Sequence, residues 1–353
     1  MWDVLFFALF LTLLLLPFVP SLRELELKND ASPLKIVQSH DGDVRTFAEN
    51  FRQLVNQELA ENSCELTSAA SEKFRLVDGT FVSSPTEQKA RSVNEVVVSL
   101  TPLDLPDGFI FEREVYGKQS VISGHYGRFR AVLADESLIL KGNSVVTRWA
   151  HARRVSLGPN VTIMGRLSAD ELIVIKPSCV FTRINAPMIR FGSEEKDGVG
   201  EGEPVFDEMT DKRIFADVDH AQMDESGCWL VKGDFAIPPN GSIKSNMVVH
   251  GDLKIGKGAV LTGSVKTHGD LLLDSHVKIM GALVSENDVT IGERCLIKGP
   301  VVSEKTVHIE SGAVIGTINY PTTVTAEYIR AKSGVFAHGT LWARSAAKLA
   351  NTY

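Results

Sequence analysis

Cysteine is scarce. The chain has four in 353 residues, Cys64, Cys179, Cys228 and Cys295, with no CxxC spacing and no histidine pattern beside them. That weighs against a disulfide framework or a zinc module and fits a reducing compartment. Positive charge is not in excess either. The formal net charge is -7, which argues against a nucleic-acid surface, because duplex binding rests on clustered lysine and arginine. There is no DxDxDG calcium loop. A GxGxG run at Gly198, Gly200 and Gly202 sits in an acidic stretch rather than between a strand and a helix, so it is a poor phosphate cradle. No metal and no cofactor is expected.

What the chain does have is a repeat. From Gly233 to Thr322 it reads as five copies of one 18-residue unit without a gap, GDFAIPPNGSIKSNMVVH through KTVHIESGAVIGTINYPT. Inside each unit, apolar or small residues sit two apart and recur every six, as with Leu253 and Ile255, Ala259 and Leu261, Val265 and Thr267. Alternation at period two marks a strand with one buried face, and three such strands per unit describe one turn of a three-sided parallel β-helix. Ile237, Ile255, Leu273, Ile291 and Ile309 fall in one column, and Ile243, Leu261, Ile279, Ile297 and Ile315 in another. Stacked turns convert such columns into a dry core that no single repeat could form alone. Gly263, Gly281 and Gly299 share a corner position with little room for a Cβ. Cys295 shares a column with Ala259, Val277 and Ala313, as a small core hydrophobe does.

The rest of the chain divides around this block. Val4 to Leu22 carries no charge, which is long enough to span hydrocarbon, so residues 1–22 are predicted to be a membrane anchor. Arg23, Lys28 and Lys35 follow the span and none precedes it, which places the remainder in the cytoplasm, with a periplasmic placement the alternative. Residues 23–127 are read as a juxtamembrane region. It holds an amphipathic helix with Phe47, Phe51, Leu54, Val55 and Leu59 at helical spacing, a Ser-rich linker over 63–92, and a short β-rich cap. A less regular β-helix block is predicted over 128–192, with Leu140, Leu157 and Ile175 in one column and Val146, Ile163 and Phe181 in another. Residues 193–226 hold 12 acidic against 3 basic residues, a net -9 that leaves +2 for the rest of the chain. They are read as a solvated insertion leaving the solenoid at a corner. The second block runs over 227–343, and 344–353 form a polar tail.

Hexads such as IGKGAV, IGERCL and IESGAV match the spacing of hexapeptide-repeat acyltransferases, which use a histidine as general base. His250 and His268 share a column, and His276 and His308 lie elsewhere. An outward histidine ladder on a solvated side is the plainer reading of them. The units GDLKIGKGAVLTGSVKTH and NDVTIGERCLIKGPVVSE, with Gly258-Ala259 running to Gly263 and Val265 and again Gly312-Ala313, resemble those of the bactofilins, a polymer-forming bacterial cytoskeletal family. The resemblance covers Gly233 to Ala343 well and Arg128 to Phe191 loosely.

That resemblance implies a right-handed β-helix that polymerises end to end without nucleotide. It also implies a membrane-associated scaffold for envelope or polysaccharide machinery, with other envelope proteins as partners. The long amino-terminal region, the acidic insertion and the two blocks depart from the family pattern. A hexapeptide-type acyltransferase and a carbohydrate-binding solenoid are the alternatives. A solenoid end must be capped or it will pair with another chain. Phe336, Leu341 and Trp342, on or beside the last turn, are candidates for either a cap or a self-association contact, and the two stand equally open.

Overall fold

The computed structural model describes residues 16, 19, 45–61, 74–192, 214–215 and 220–349. All of the predicted membrane segment but residues 16 and 19, and most of the acidic stretch, lie outside them. No helix among the described residues is long and apolar enough to cross a membrane. The fold is mostly β, 53% strand, wound into a solenoid of about 14 turns of about 18 residues.

In the second block each turn contributes three short strands, and every third strand is hydrogen-bonded in parallel. Phe235–Ile237, Leu253–Ile255 and Leu271–Leu273 form one ladder, Ser242–Ile243, Val260–Leu261 and Lys278–Ile279 a second, and Met247–Val249, Val265–Thr267 and Leu283–Ser285 a third. The register is the 18-residue period itself. Ile237 pairs through Ile255, Leu273 and Ile291 to Ile309, and Ile243 through Leu261, Ile279 and Ile297 to Ile315, none more than 2% exposed. Hydroxyls in the core are satisfied locally: Thr267, Ser285 and Ser303 each donate to a carbonyl at the corner of a neighbouring turn.

One corner of every turn needs a left-handed residue. Asn240, Gly258, His276, Arg294 and Gly312 occupy it, all with φ between 55° and 74°. Glycine and asparagine are the residues that pay least there. Gly281 and Gly299 serve another purpose. Their φ is ordinary, but a Cβ on either would overlap the carbonyl of the glycine one turn earlier.

The first block is longer than its sequence periodicity suggests. Parallel pairing already begins at Phe74–Val77 with Val96–Ser99, so residues 74–127 are turns of the same solenoid and not a linker followed by a cap. Val93, Phe111, Phe129 and Val146 are successive register partners and fully buried. The helix Thr46–Glu61 lies on the outside of this block. It buries Ala48 and Val55 against Val96, Val98, Tyr116 and Leu133, while Phe47 and Leu54 stay exposed. Phe51 meets the edge of Trp149 at 5.8 Å. Arg52 Nε donates to Asp135 at 2.8 Å, and the Tyr116 hydroxyl donates to the other oxygen of the same carboxylate.

The two blocks meet tail to tail. The last strand of the first block, Val180–Phe191, pairs antiparallel with the last strand of the chain, Phe336–Leu349. Coils that approach from opposite directions run antiparallel only if they wind with the same hand, so both blocks share one hand. The second block therefore starts at the far end and returns. The stretch read as a corner insertion, 193–226, is instead the link from the junction at Gly192 to that far end. Six rungs at about 4.8 Å put the ends about 29 Å apart. Its final part is structural: Phe215 stacks on Trp229 at 4.0 Å and on Phe235 at 5.1 Å, and Ala221–Met223 pairs with Trp229–Val231. The predicted tail is strand as far as Leu349, because it supplies part of the junction.

Candidate functional site

Three features of the rod could carry function: its junction, its sides and its ends. At the junction, Leu341 pairs with Ile184, and both are core residues, 1% and 0% exposed. Phe336, half-buried, lies opposite Arg190. Trp342, 44% exposed, sits under the Arg183 guanidinium at 5.0 Å. Asn185 Nδ2 donates to Thr340 Oγ1 at 2.8 Å, and His338 Nδ1 donates to the Pro187 carbonyl at 2.7 Å. The edge that Phe336, Leu341 and Trp342 would offer to a second chain is thus occupied by this chain's own strand.

On one side of the second block, Asp234, Asp252, Asp270 and Asp288 form a column at the head of successive turns. Each carboxylate accepts the backbone N–H one turn on, at 2.8 to 3.2 Å. Gly251 and Gly269 leave the room for this, since a Cβ on either would strike the preceding aspartate. The column was legible as the Gly-Asp pair opening the first three repeats and the Asn-Asp pair opening the fourth, but reading the repeat for its apolar positions passes over it. Beside it runs a shallow groove of about 590 Å³, lined by Lys254, Leu272, Thr290 and His308. Burial, with Arg330 nearby, holds the His308 pKa below its ordinary value. The carboxylates are spent on tying turns together, and no group of metal-binding side chains occurs among the described residues.

The histidine ladder is real. His250 and His268 stack at 4.9 Å, and His268 Nδ1 lies 2.7 Å from Glu286. The hydrogen bond from His268 pulls the Glu286 pKa down. His276 is on the left-handed corner and His308 in the groove, so the four histidines do not converge. Cys295 and Cys179 are buried, their Sγ donating to the carbonyls of Asp274 and Gly158, and burial pushes each thiol to about 11. At that value neither is a nucleophile at neutral pH.

The two ends are both amino-terminal turns. At one, Phe81 closes the core over Phe111, which stacks on Phe129 at 5.2 Å, and a six-residue helix, Pro85–Ala90, is held by a capping box from Ser84. At the other, Phe215, Trp229 and Phe235 do the same. At the second end Ala221–Met223 also pairs with the edge of Trp229–Val231, whereas the stack at the first leaves the backbone edge uncovered. Among the described residues Phe74–Val77 pairs with Val96–Ser99 alone, and Leu76 and Val82 beside it are 54% and 73% exposed. No family model, no curated protein and no solved structure matches the chain.

Proposed function

We propose that the chain is a structural scaffold of a bacterial envelope. In this reading a right-handed, three-sided β-solenoid rod is held at the inner membrane by residues 1–22. It faces the cytoplasm and self-associates through its ends to organise envelope or polysaccharide machinery. The observation that carries it is the open edge of Phe74–Val77. A strand with one side unpaired and exposed aliphatic residues beside it is a template for another strand. Since the carboxyl-terminal turn is used inside the chain, self-association is assigned to this first turn and not to Phe336, Leu341 and Trp342. The hand, the membrane and the partners rest on the bactofilin resemblance and the charge pattern.

The test is sedimentation of the full chain in mild detergent, with Leu76→Lys as the perturbation. The wild type should sediment as assemblies and the variant as a smaller species with an unchanged far-ultraviolet spectrum. Equal sedimentation of the two refutes the end contact. A phosphatase fused after Tyr353 should be inactive; strong activity would put the rod on the other side of the membrane.

A further inference from the structure

The junction makes one flat side of the rod continuous through both blocks. Its first outward row runs Val260, Lys278, Leu296, Val314 and Phe336 in the second block. The Phe336 and Arg190 pair carries it across to Val174, Ser156 and Ile139 in the first. Beside it a second row holds Lys244, Thr262, Met280 and Lys298, and beyond the junction Leu172 and Arg154. The residues between the rows point inward and are buried, as Leu261, Ile279 and Ile297 are. Nine rung spacings from the Lys244 rung to Ile139 make this side about 43 Å long.

Its chemistry differs from that of the other two sides. From the Lys244 rung to Ile139 neither outward row contains an aspartate or a glutamate, and the first meets one only two rungs beyond, at Asp104, whereas the groove side carries the aspartate column and the third side is edged by Glu286 and Glu304. Five cations, Lys244, Lys278, Lys298, Arg154 and Arg190, are spaced among half-exposed aliphatic residues. Arg154 also faces Glu171, at 3.9 Å, across the corner. At the edge of this side the chain folds a tight hairpin, Thr317 and Tyr320 exchanging backbone hydrogen bonds, and its tip thrusts out Ile318 and Tyr320, 64% and 71% exposed. A rigid plane of lysines interleaved with aliphatics, edged by a projecting tyrosine and isoleucine, matches an interface of anionic headgroups over an acyl boundary.

We propose that this side of the rod lies on an anionic lipid surface, its lysines on headgroup phosphates and the Ile318–Tyr320 tip in the acyl boundary. The contact goes beyond the scaffold reading, since it needs neither the amino-terminal anchor nor self-association.

The test is flotation of the full chain with phosphatidylcholine vesicles, with and without phosphatidylglycerol. The anchor contributes to both kinds, so the ratio of the two binding constants isolates the charged contact. The wild type should prefer the anionic vesicles and lose that preference between about 0.1 M and 1 M salt, where the screening length falls from about 10 Å to 3 Å. Replacing Lys244, Lys278 and Lys298 by glutamine should cut the ratio about 100-fold, near fivefold per lysine. A control triple on other sides, Lys254→Gln, Lys305→Gln and Lys348→Gln, should leave it within about threefold, for the same change in net charge. No preference in the wild type, or equal loss in the two triples, overturns the proposal. So does binding of soluble polyphosphate as tight as that of the vesicles and lost in the same triple. Thermal melting of both triples checks that the fold is intact.

Discussion

Cysteines placed at Asn185 and Thr340 test the tail-to-tail junction directly. The two residues are register partners on neighbouring antiparallel strands, joined by a 2.8 Å hydrogen bond and 155 positions apart in sequence. Opposed residues in such a pair have Cα atoms about 4.5 to 5.5 Å apart, inside the range a disulfide spans. Closing a loop of that length removes enough unfolded-chain entropy to stabilise the fold by about 5 kcal/mol. The lost hydrogen bond takes back about 1 kcal/mol, leaving about 4 kcal/mol. In a background with Cys64 and Cys228 replaced by serine, oxidation should give a compact band on a non-reducing gel. Its urea midpoint should be higher than that of the reduced protein. The control is Asn185→Cys with Thr323→Cys, since Thr323 lies one turn beyond Thr340. No cross-link at 185 and 340, or equal cross-linking in the control, would falsify the junction and the shared hand derived from it.

Three further outcomes follow from the same geometry. Gly281→Val places a Cβ 2.5 Å from the Gly263 carbonyl carbon, and prying two turns apart should cost about 1 to 3 kcal/mol by urea denaturation. A variant as stable as the wild type would mean the turns are not in close contact there. His276→Gly relieves a left-handed residue at φ 62° and should stabilise by about 1 kcal/mol, whereas the same change at Lys278, in ordinary strand, should destabilise. His151, buried with Nδ1 2.8 Å from Ser168 Oγ, has its pKa lowered by burial, with Arg52 and Arg45 of the helix region acting the same way and Asp170 and Glu49 opposing. The folded protein thus resists a proton that the unfolded chain accepts near its ordinary 6.5. Stability should be full above that pH and fall as pH drops through it. His151→Gln should flatten that slope between pH 7.5 and 5; an unchanged slope assigns the acid sensitivity elsewhere.

The repeat was legible because a β-helix writes its register directly into the chain. Each rung stands on its predecessor at fixed spacing, so the columns through Ile255 and Leu261, or Leu157 and Ile163, are correct pairings before any coordinates are known. The helix Thr46–Glu61 was legible from its apolar stripe, and Cys295 as a core residue from its column. The turns before Arg128 were also written at period 18, through Val93, Phe111 and Phe129, but loops of uneven length between them disguised it. The aspartate column was visible and unread, because its function lies in the backbone donor one turn away.

Periodicity records neighbours one turn apart, and nothing in it records what happens when two such stacks meet. The sequence alone determined a solenoid with a dry aliphatic core, its corner glycines and its flanking helix. Only the tertiary structure decided that the blocks run toward each other, that Leu341 is sealed against Ile184, and that the acidic stretch is a return path. It alone brought the cationic rows of both blocks onto one side. The physical reason is that strand pairing between Val180–Phe191 and Phe336–Leu349 joins segments about 150 residues apart through backbone groups that every residue carries.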